Sequence, residues 1–242
     1  MHRSARAVAL GAAVFVAVEG RWSRHPLVPL RLFRLRAITV GNLAMLLVGV
    51  CLMPMWYFLS LYMQQGLGLS ALATGLGFLP HTAITVAVGA LLAPRLMNRM
   101  PARTLLATGC LIAAAGFWWQ SRIDVTDTYL TAILGPAIAI AVGGGLLNTP
   151  LTTLVTSGIT RDDAGAASGL MNTTKQVGGA LGLAALLTVA GGGATGMGLT
   201  ADPVGLTAGF SVAFTTMAGL LAVVAVLAAA LPAPGGHDPA AQ

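Results

Sequence analysis

Long apolar runs separated by short polar segments dominate the chain. No Asp, Glu, Lys or Arg occurs between Ala37 and Pro94, and Thr128–Thr160 and Pro203–His237 are also free of them. A helix that crosses a bilayer needs roughly 20 apolar residues. The pattern therefore predicts an all-α integral membrane protein with six spans, at residues 37–63, 71–94, 104–121, 128–150, 168–190 and 207–231.

Polar and polarisable residues recur along single faces of three of these predicted helices, at spacings of three and four residues. Because polar groups in lipid need partners inside the bundle or in a watery cavity, these faces are candidates for a cavity wall. The alternative is close helix packing through small residues, which we favour for Gly49, Gly77, Gly179 and Gly182. The substrate-cavity candidates are Asn42, Met45, Met53, Trp56, His81, Asn172 and Gln176.

Two ionisable residues fall within the predicted spans. His81 follows Pro80 and is either a functional group or a neutral imidazole bound to a carbonyl that the proline frees. Lys175 is expected one or two turns inside the cytoplasmic end of its span, where it snorkels to the interface, pairs with Asp162 or Asp163, or binds substrate. No Asp or Glu lies within any of the six spans.

Composition supports the membrane assignment. Apolar residues make up 56% of the 242, charged residues only 8%, and the mean hydropathy is +0.83. These values exclude an ordinary soluble domain, a disordered chain and a fibrous repeat. The net charge of +6 does not indicate nucleic-acid binding, because the basic residues border apolar runs. Cys51 and Cys110 lie inside apolar runs and are expected to be buried and unpaired.

The distribution of basic residues predicts the orientation. Arg95, Arg99 and Arg103 lie between the second and third spans, and the five arginines from Arg21 to Arg36 directly precede the first. Since Lys and Arg in short loops stay cytoplasmic, residues 19–36, 95–103, 151–167 and the C-terminus are expected inside. The protein is accordingly expected to be a multi-pass protein of the cell membrane.

The sequence carries no enzyme motif that we recognise. It has no HExxH, no paired histidines at metal-binding spacing, no GxSxG and no phosphate-binding loop. We therefore expect no catalytic residues, no metal and no cofactor.

The apolar run Ala7–Val18 is too short to span a bilayer. It fits either a signal peptide or the remnant of a preceding helix. We favour the remnant, because no small-residue cleavage site follows.

Several strings of residues resemble one family. Glu19, Arg21 and the run from His25 to Arg34 (HPLVPLRLFR) are similar to the hinge before the C-terminal domain of fourteen-span drug:proton antiporters of the major facilitator superfamily, the EmrB/QacA type. Leu61–Gln65 with Leu79-Pro80 resembles the first two helices of that domain. Gly165–Asn172 and Lys175–Gly182 resemble its penultimate helix.

The resemblance implies a six-helix C-terminal domain of the major facilitator fold, built from two inverted three-helix repeats. The expected organisation is a helix remnant at 1–18, a cytoplasmic basic hinge at 19–36, the membrane domain at 37–231 and a cytoplasmic tail at 232–242. The implied function is proton-coupled export of hydrophobic, often cationic, drugs or metabolites. The implied cytoplasmic gating loop contains Arg95, Asn98, Arg99 and Arg103, with Asn98 where the family commonly has an acidic residue.

The implied partners are the lipid bilayer, the small substrate, protons and an N-terminal domain, with no nucleic acid. Alternating access requires two domains, so the chain is expected to be incomplete as a transporter by itself. A non-transporting membrane module, or a half-transporter that requires a separate N-terminal partner, is the alternative.

Overall fold

The apolar runs form long helices. The computed structural model describes residues 33, 35–124, 128–156, 159–160, 163–191 and 203–230, and every regular element among them is helical. The all-α prediction is thereby confirmed. The expected helix remnant at 1–18, almost all of the hinge at 19–36 and the tail at 232–242 lie outside the described residues.

Six long helices run through the described part of the chain. Their bounds are α1 Arg36–Gly66, α2 Ala71–Met97, α3 Ala102–Gln120, α4 Tyr129–Thr156, α5 Ala164–Ala190 and α6 Pro203–Ala230. Three of the helices contain a π-helical turn, at Tyr62–Gly66, Val88–Leu92 and Tyr129–Leu134.

Two prolines coincide with interruptions in α2. The helix consists of α-helical segments at Ala71–Gly77, Leu79–Ala87 and Ala93–Met97. Pro80 and Pro94 are each the second residue of a segment, a position where the missing N–H costs least. Ser70 caps the first segment, its Oγ accepting a hydrogen bond from the amide of Ala73 at 3.2 Å.

Five of the helices, α1 to α4 and α6, are long and apolar enough to cross a bilayer. Helix α5 has 27 residues and is long enough to span, but it is less apolar than the other helices and does not qualify. Its first half carries consecutive polar residues from Asn172 to Gln176, which lower its hydropathy. The helix also begins at Ala164, four residues before the predicted start.

The helices surround an apolar core that is rich in aromatic rings. Helix α1 packs along α5 and also contacts α4 and α6, while α3 lies between α4 and α6. Phe58 of α1 meets Phe210 of α6 with ring centroids 5.7 Å apart. Phe117 of α3 stacks on Phe214 of α6 at 6.2 Å. Cys51 and Cys110 are unpaired and fully buried in this core, as predicted.

Glycines allow α1 and α5 to approach closely in parallel. Ile38 packs with Ala167 near the first turns of the two helices. Further along, Gly49 faces the backbone of Lys175, and Gly182 faces that of Val50, where an added Cβ would lie 2.6 Å from the Val50 Cα. The two helices are therefore parallel. Glycines fix their register, because only a residue without a side chain fits where the two backbones touch.

Helix α2 is held mainly by α4 and is otherwise open. Only 11% of the residues in its most apolar stretch are buried, against 61% in α4. Hydrogen bonds join the two helices. The Tyr129 hydroxyl donates to the Gly77 carbonyl at 2.7 Å, and the Thr149 hydroxyl donates to the Gly89 carbonyl at 3.3 Å. Most of the α2 surface thus faces away from the rest of the bundle.

Candidate functional site

One group of candidates lies where α1, α2 and α4 meet. The rings of Trp56 and His81 are edge-to-face, with centroids 5.0 Å apart and planes at 87°. Trp56 also meets Phe78 edge-to-face at 4.9 Å. We call Trp56, Phe78 and His81 the aromatic cluster. It combines apolar ring faces with an imidazole, a chemistry suited to flat apolar ligands.

The orientation of His81 is set from the neighbouring helix. Its Nδ1 lies 3.1 Å from the Ala137 carbonyl of α4, and the side chain is buried. A carbonyl oxygen only accepts, so Nδ1 carries the proton and donates. In the neutral ring, Nε2 then keeps its lone pair. The predicted carbonyl partner exists, but it belongs to α4 rather than to the turn that Pro80 interrupts.

A second group lies on α5. Asn172 and Gln176 are exposed, and Lys175 between them is half-buried. At 100° per residue, Ser168, Asn172 and Lys175 fall on one face of the helix, and Ser168 is also exposed. The exposed surface of α5 is therefore polar in its first half, whereas further along it carries Val177, Leu181 and Val189.

The depth of Lys175 differs from the prediction. It is the twelfth residue of α5, about 16 Å from the start of the helix at 1.5 Å per residue. Its backbone lies against Gly49, which is about 20 Å from the start of α1. Asp163 is about 18 Å away along the axis. Pairing with Asp163 is excluded by this distance, because the lysine side chain is only about four carbons long. Asp162, the other predicted partner, lies outside the described residues, and snorkelling to the interface stays a prediction.

The remaining candidates on α1 are packed rather than open. Met45 is 3% exposed within the hydrophobic core, so it lines no open surface of the described bundle. Asn42 is 8% exposed, and its Nδ2 donates to the Ile38 carbonyl at 2.8 Å. Met53 packs against Gly179 of α5. The periodic stripe on α1 is mainly the surface that contacts neighbouring helices, because helix packing uses the same spacing as a cavity wall.

The four candidates for a gating loop lie near the turn between α2 and α3. Arg95 donates from Nη1 to the Leu91 carbonyl at 2.7 Å. All four side chains are exposed: Arg95, Asn98, Arg99 and Arg103. Arg95, Asn98 and Arg99 line a shallow cleft of about 300 Å³. The loop therefore offers positive charge to whatever adjoins it.

Sequence reasoning missed two members of the site. Phe78 is a member of the aromatic cluster, and Tyr129 ties α4 to α2 beside it through the hydrogen bond of its hydroxyl to the Gly77 carbonyl. Phe78 lies at the break before Pro80, and this proline is the signal that was available in the sequence. Tyr129 lies in a π-helical turn, which only the structure shows. Within the described part of the chain, no three His, Cys, Asp or Glu residues cluster as metal ligands.

Taken together, the two groups offer aromatic faces, amides and one ammonium. These groups bind ligands by stacking, hydrogen bonding and charge. On α1, Trp56 lies seven residues beyond Gly49, so the groups are about 10 Å apart along the bundle axis.

Comparison with known proteins places the chain in a family. The sequence profile described as Major Facilitator Superfamily matches residues 4–183. The cephamycin export protein of Amycolatopsis lactamdurans is 50% identical over 224 residues, covering 93% of this chain and 45% of that protein.

Two further relatives are resistance proteins of Streptomyces. The puromycin resistance protein of Streptomyces alboniger is 35% identical over 235 residues, covering 92% of this chain and 46% of that protein. The lincomycin resistance protein of Streptomyces lincolnensis is 31% identical over 223 residues, covering 92% and 44%. The chain spans a little under half the length of these relatives. By its profile match and its apolar helices, the chain belongs to the Major Facilitator Superfamily, a family of multi-pass membrane transporters rather than enzymes.

Proposed function

We propose that this chain forms the C-terminal domain of a drug:proton antiporter of the EmrB/QacA type, which exports small antibiotic-like molecules across the cell membrane. The observation that carries the proposal is the exposed polar face of α5. Ser168, Asn172 and Gln176 project from a helix packed among membrane spans. Amide groups, and hydroxyls that no helix carbonyl satisfies, do not face lipid tails, so we infer that this face borders a water-filled cavity.

The relatives support a small-molecule substrate. Their printed names refer to cephamycin, puromycin and lincomycin, and the first of these proteins is named as an exporter. The three names refer to three different antibiotics. A cavity wall of aromatic rings and amides suits such a range, because stacking and hydrogen bonding tolerate different shapes.

Within this wall, the two groups of residues have different tasks. The aromatic cluster, with Trp56 and His81, stacks on apolar rings of the substrate. Asn172 and Gln176 form hydrogen bonds to its polar groups. Neither group alone encloses a molecule, since α2 and α5 are open on the side away from the bundle. We infer that a second domain supplies the opposite wall.

The orientation follows from the charged loops. The turn with Arg95, Arg99 and Arg103 lies in the cytoplasm, and so does the C-terminus, because short loops rich in arginine are retained there. The exposed arginines of this turn meet the second domain when the cavity closes on the cytoplasmic side. Asn98 contributes no charge to this contact.

Proton coupling is assigned to the second domain. None of the six helices of this chain contains an Asp or Glu, the groups that commonly carry protons in transporters. His81 is the ionisable alternative, but its Nδ1 is engaged by α4. We therefore expect this chain to bind substrate and the other domain to exchange protons.

Export by co-expressed domains tests the proposal. The chain is expressed alone or with a separately encoded N-terminal domain of the cephamycin export protein, and puromycin and cephamycin accumulation in the cells is measured. We expect reduced accumulation only with both domains. Export by the chain alone would refute the need for a partner, and unchanged accumulation with both domains would refute the export function.

Variants of the exporting pair test the wall. Asn172→Ala combined with Gln176→Ala should reduce export. The matched control is Thr188→Ala on the apolar half of α5, because that hydroxyl is exposed and donates only to its own helix, at the Ala184 carbonyl. Equal export by the double variant and the control would exclude α5 from the cavity.

A further inference from the structure

We propose that Lys175 binds a carboxylate group of the transported molecule near the middle of the membrane. This inference rests on the proposed export function and specifies its substrate class: anions or zwitterions rather than the hydrophobic, often cationic, compounds that the family resemblance implies.

Lys175 lies deep along α5. Lys175 is about 16 Å from the start of α5, and its backbone is level with Gly49 in the interior of α1. The hydrocarbon core of a bilayer is about 30 Å thick, so a Cα about 16 Å along a spanning helix lies in the central region. Charged side chains at this depth face the interior of the protein or water and mark substrate or ion pathways.

The distribution of charged residues along the helices also favours an anionic ligand. The other basic residues of the described helices lie at helix ends, with Arg36 first in α1, Arg95 in the last turn of α2 and Arg103 second in α3. The seven acidic residues of the chain all lie outside the six helices. Within the described residues, Lys175 forms no ion pair. A central positive charge without an internal counter-ion favours a negatively charged ligand.

Two amide side chains lie near Lys175 on the same helix. Asn172 lies one turn before Lys175, Gln176 follows it, and both amides are exposed on the same helix. An ammonium forms charge-assisted hydrogen bonds to a carboxylate. The adjacent amides donate to its second oxygen or bind neighbouring polar groups. The three side chains together form a receptor for one carboxylate.

The position of the Lys175 backbone is fixed by close packing. A Cβ at Gly49 would collide with the carbonyl group of Lys175, so the two backbones touch. This contact leaves the side chain half-buried at the edge of the seam between α1 and α5. The base of the side chain is thus anchored by packing, and the side chain remains partly accessible.

A carboxylate on a partner domain has the same chemistry as a carboxylate on the substrate. The two sources differ in what competes for Lys175. A partner side chain would occupy it permanently once the domains assemble, whereas a substrate carboxylate would bind and leave. The experiment therefore includes measurements with and without the partner domain.

Equilibrium binding to the chain in lipid nanodiscs tests the proposal. The probes are tritiated 1-naphthylacetate and its uncharged analogue 1-naphthylacetamide, which have the same ring. The variants are Lys175→Met, which keeps the apolar stem, and Lys175→Arg, which keeps the charge. Arg36→Met removes a charge at the exposed end of α1 and is the matched control.

We expect the unaltered chain to prefer the carboxylate, and Lys175→Met to weaken its binding about 10- to 100-fold, as for loss of a charged hydrogen bond. Binding of the amide should not change. Lys175→Arg and Arg36→Met should retain the preference, and binding should persist when the partner domain is added.

Four results would overturn the inference. Equal carboxylate binding by the unaltered chain and Lys175→Met would exclude Lys175 but leave the export function standing. Loss of carboxylate binding on adding the partner domain would assign Lys175 to a domain contact. Binding of the hydrophobic cation rhodamine 6G but not of the carboxylate would refute the anionic substrate class alone. Failure to bind all three probes would contradict the substrate wall itself.

Discussion

Replacing Gly182 with alanine should separate α1 from α5. A Cβ at this position would lie 2.6 Å from both the Cα and the carbonyl oxygen of Val50. Ordinary contacts of a Cβ begin near 3.4 Å, so the methyl group is about 0.8 Å too close. Both opposing atoms belong to the backbone of a long helix. The strain can therefore be relieved only by moving one helix as a body.

The energetic cost follows from how membrane helices associate. Lipid tails are as apolar as the helix surfaces, so close van der Waals contact drives the association. A gap of 0.5–1 Å forfeits roughly a quarter to a half of that attraction for each affected contact. Overpacking typically costs about 1–3 kcal/mol, and the better helix propensity of alanine returns about 0.5–1 kcal/mol. Because the clash is with backbone atoms, we expect the upper part of the overpacking range and a net loss of up to about 2.5 kcal/mol.

Reversible unfolding in mixed detergent micelles, with increasing dodecyl sulfate and far-ultraviolet circular dichroism as the readout, measures this loss. The matched control is Gly169→Ala on the same helix, where an added Cβ has nothing within 4 Å. The control should be neutral or slightly stabilising. If Gly182→Ala unfolds at the same detergent fraction as Gly169→Ala, the glycine seam does not hold α1 against α5, and the reasoning is refuted.

Three further predictions concern other parts of the bundle. Cys51 and Cys110, both 0% exposed, should resist N-ethylmaleimide in nanodiscs and react with it after denaturation, as measured by intact mass. Labelling of the folded chain would contradict the burial of these two thiols in the core. Tyr129→Phe removes the hydrogen bond to the Gly77 carbonyl and should cost about 1 kcal/mol, with faster amide exchange in α2 but not in α6. Ser70→Ala removes the cap of α2 and should also cost about 1 kcal/mol; unchanged exchange in the first turn of α2 would argue against it.

The location of the helices could be predicted from the sequence because the same physical requirement applies to every span in lipid. Backbone groups without water must bond within a helix, so long uncharged runs have no other stable conformation. The ends were less predictable. Helix α5 begins at Ala164 rather than at 168, because residues 164–167 are three alanines and a glycine. Alanine is the best helix former, and packing against a neighbouring helix supports this first turn.

The assignment of helix faces was only partly predictable. A stripe of Met, Gly and Asn at helical spacing fits a cavity wall and a packing surface equally well. The structure separates the two through contacts. Met45 lies in the core, whereas Asn172 and Gln176 are exposed. The aromatic cluster required the structure, because Trp56 and His81 come from different helices and periodicity on one helix carries no information about its neighbour.

The sequence by itself determined the class of protein, the number of long helices and the chemistry available within them: one lysine, one histidine and no carboxylate. Composition and the spacing of charges suffice for these properties, since they depend on transfer into lipid. Only the tertiary structure decided where that chemistry lies. The close approach of Gly49 to Lys175 sets the lysine deep in the bundle, and such a register arises from contact between backbones 126 residues apart, which no local pattern records.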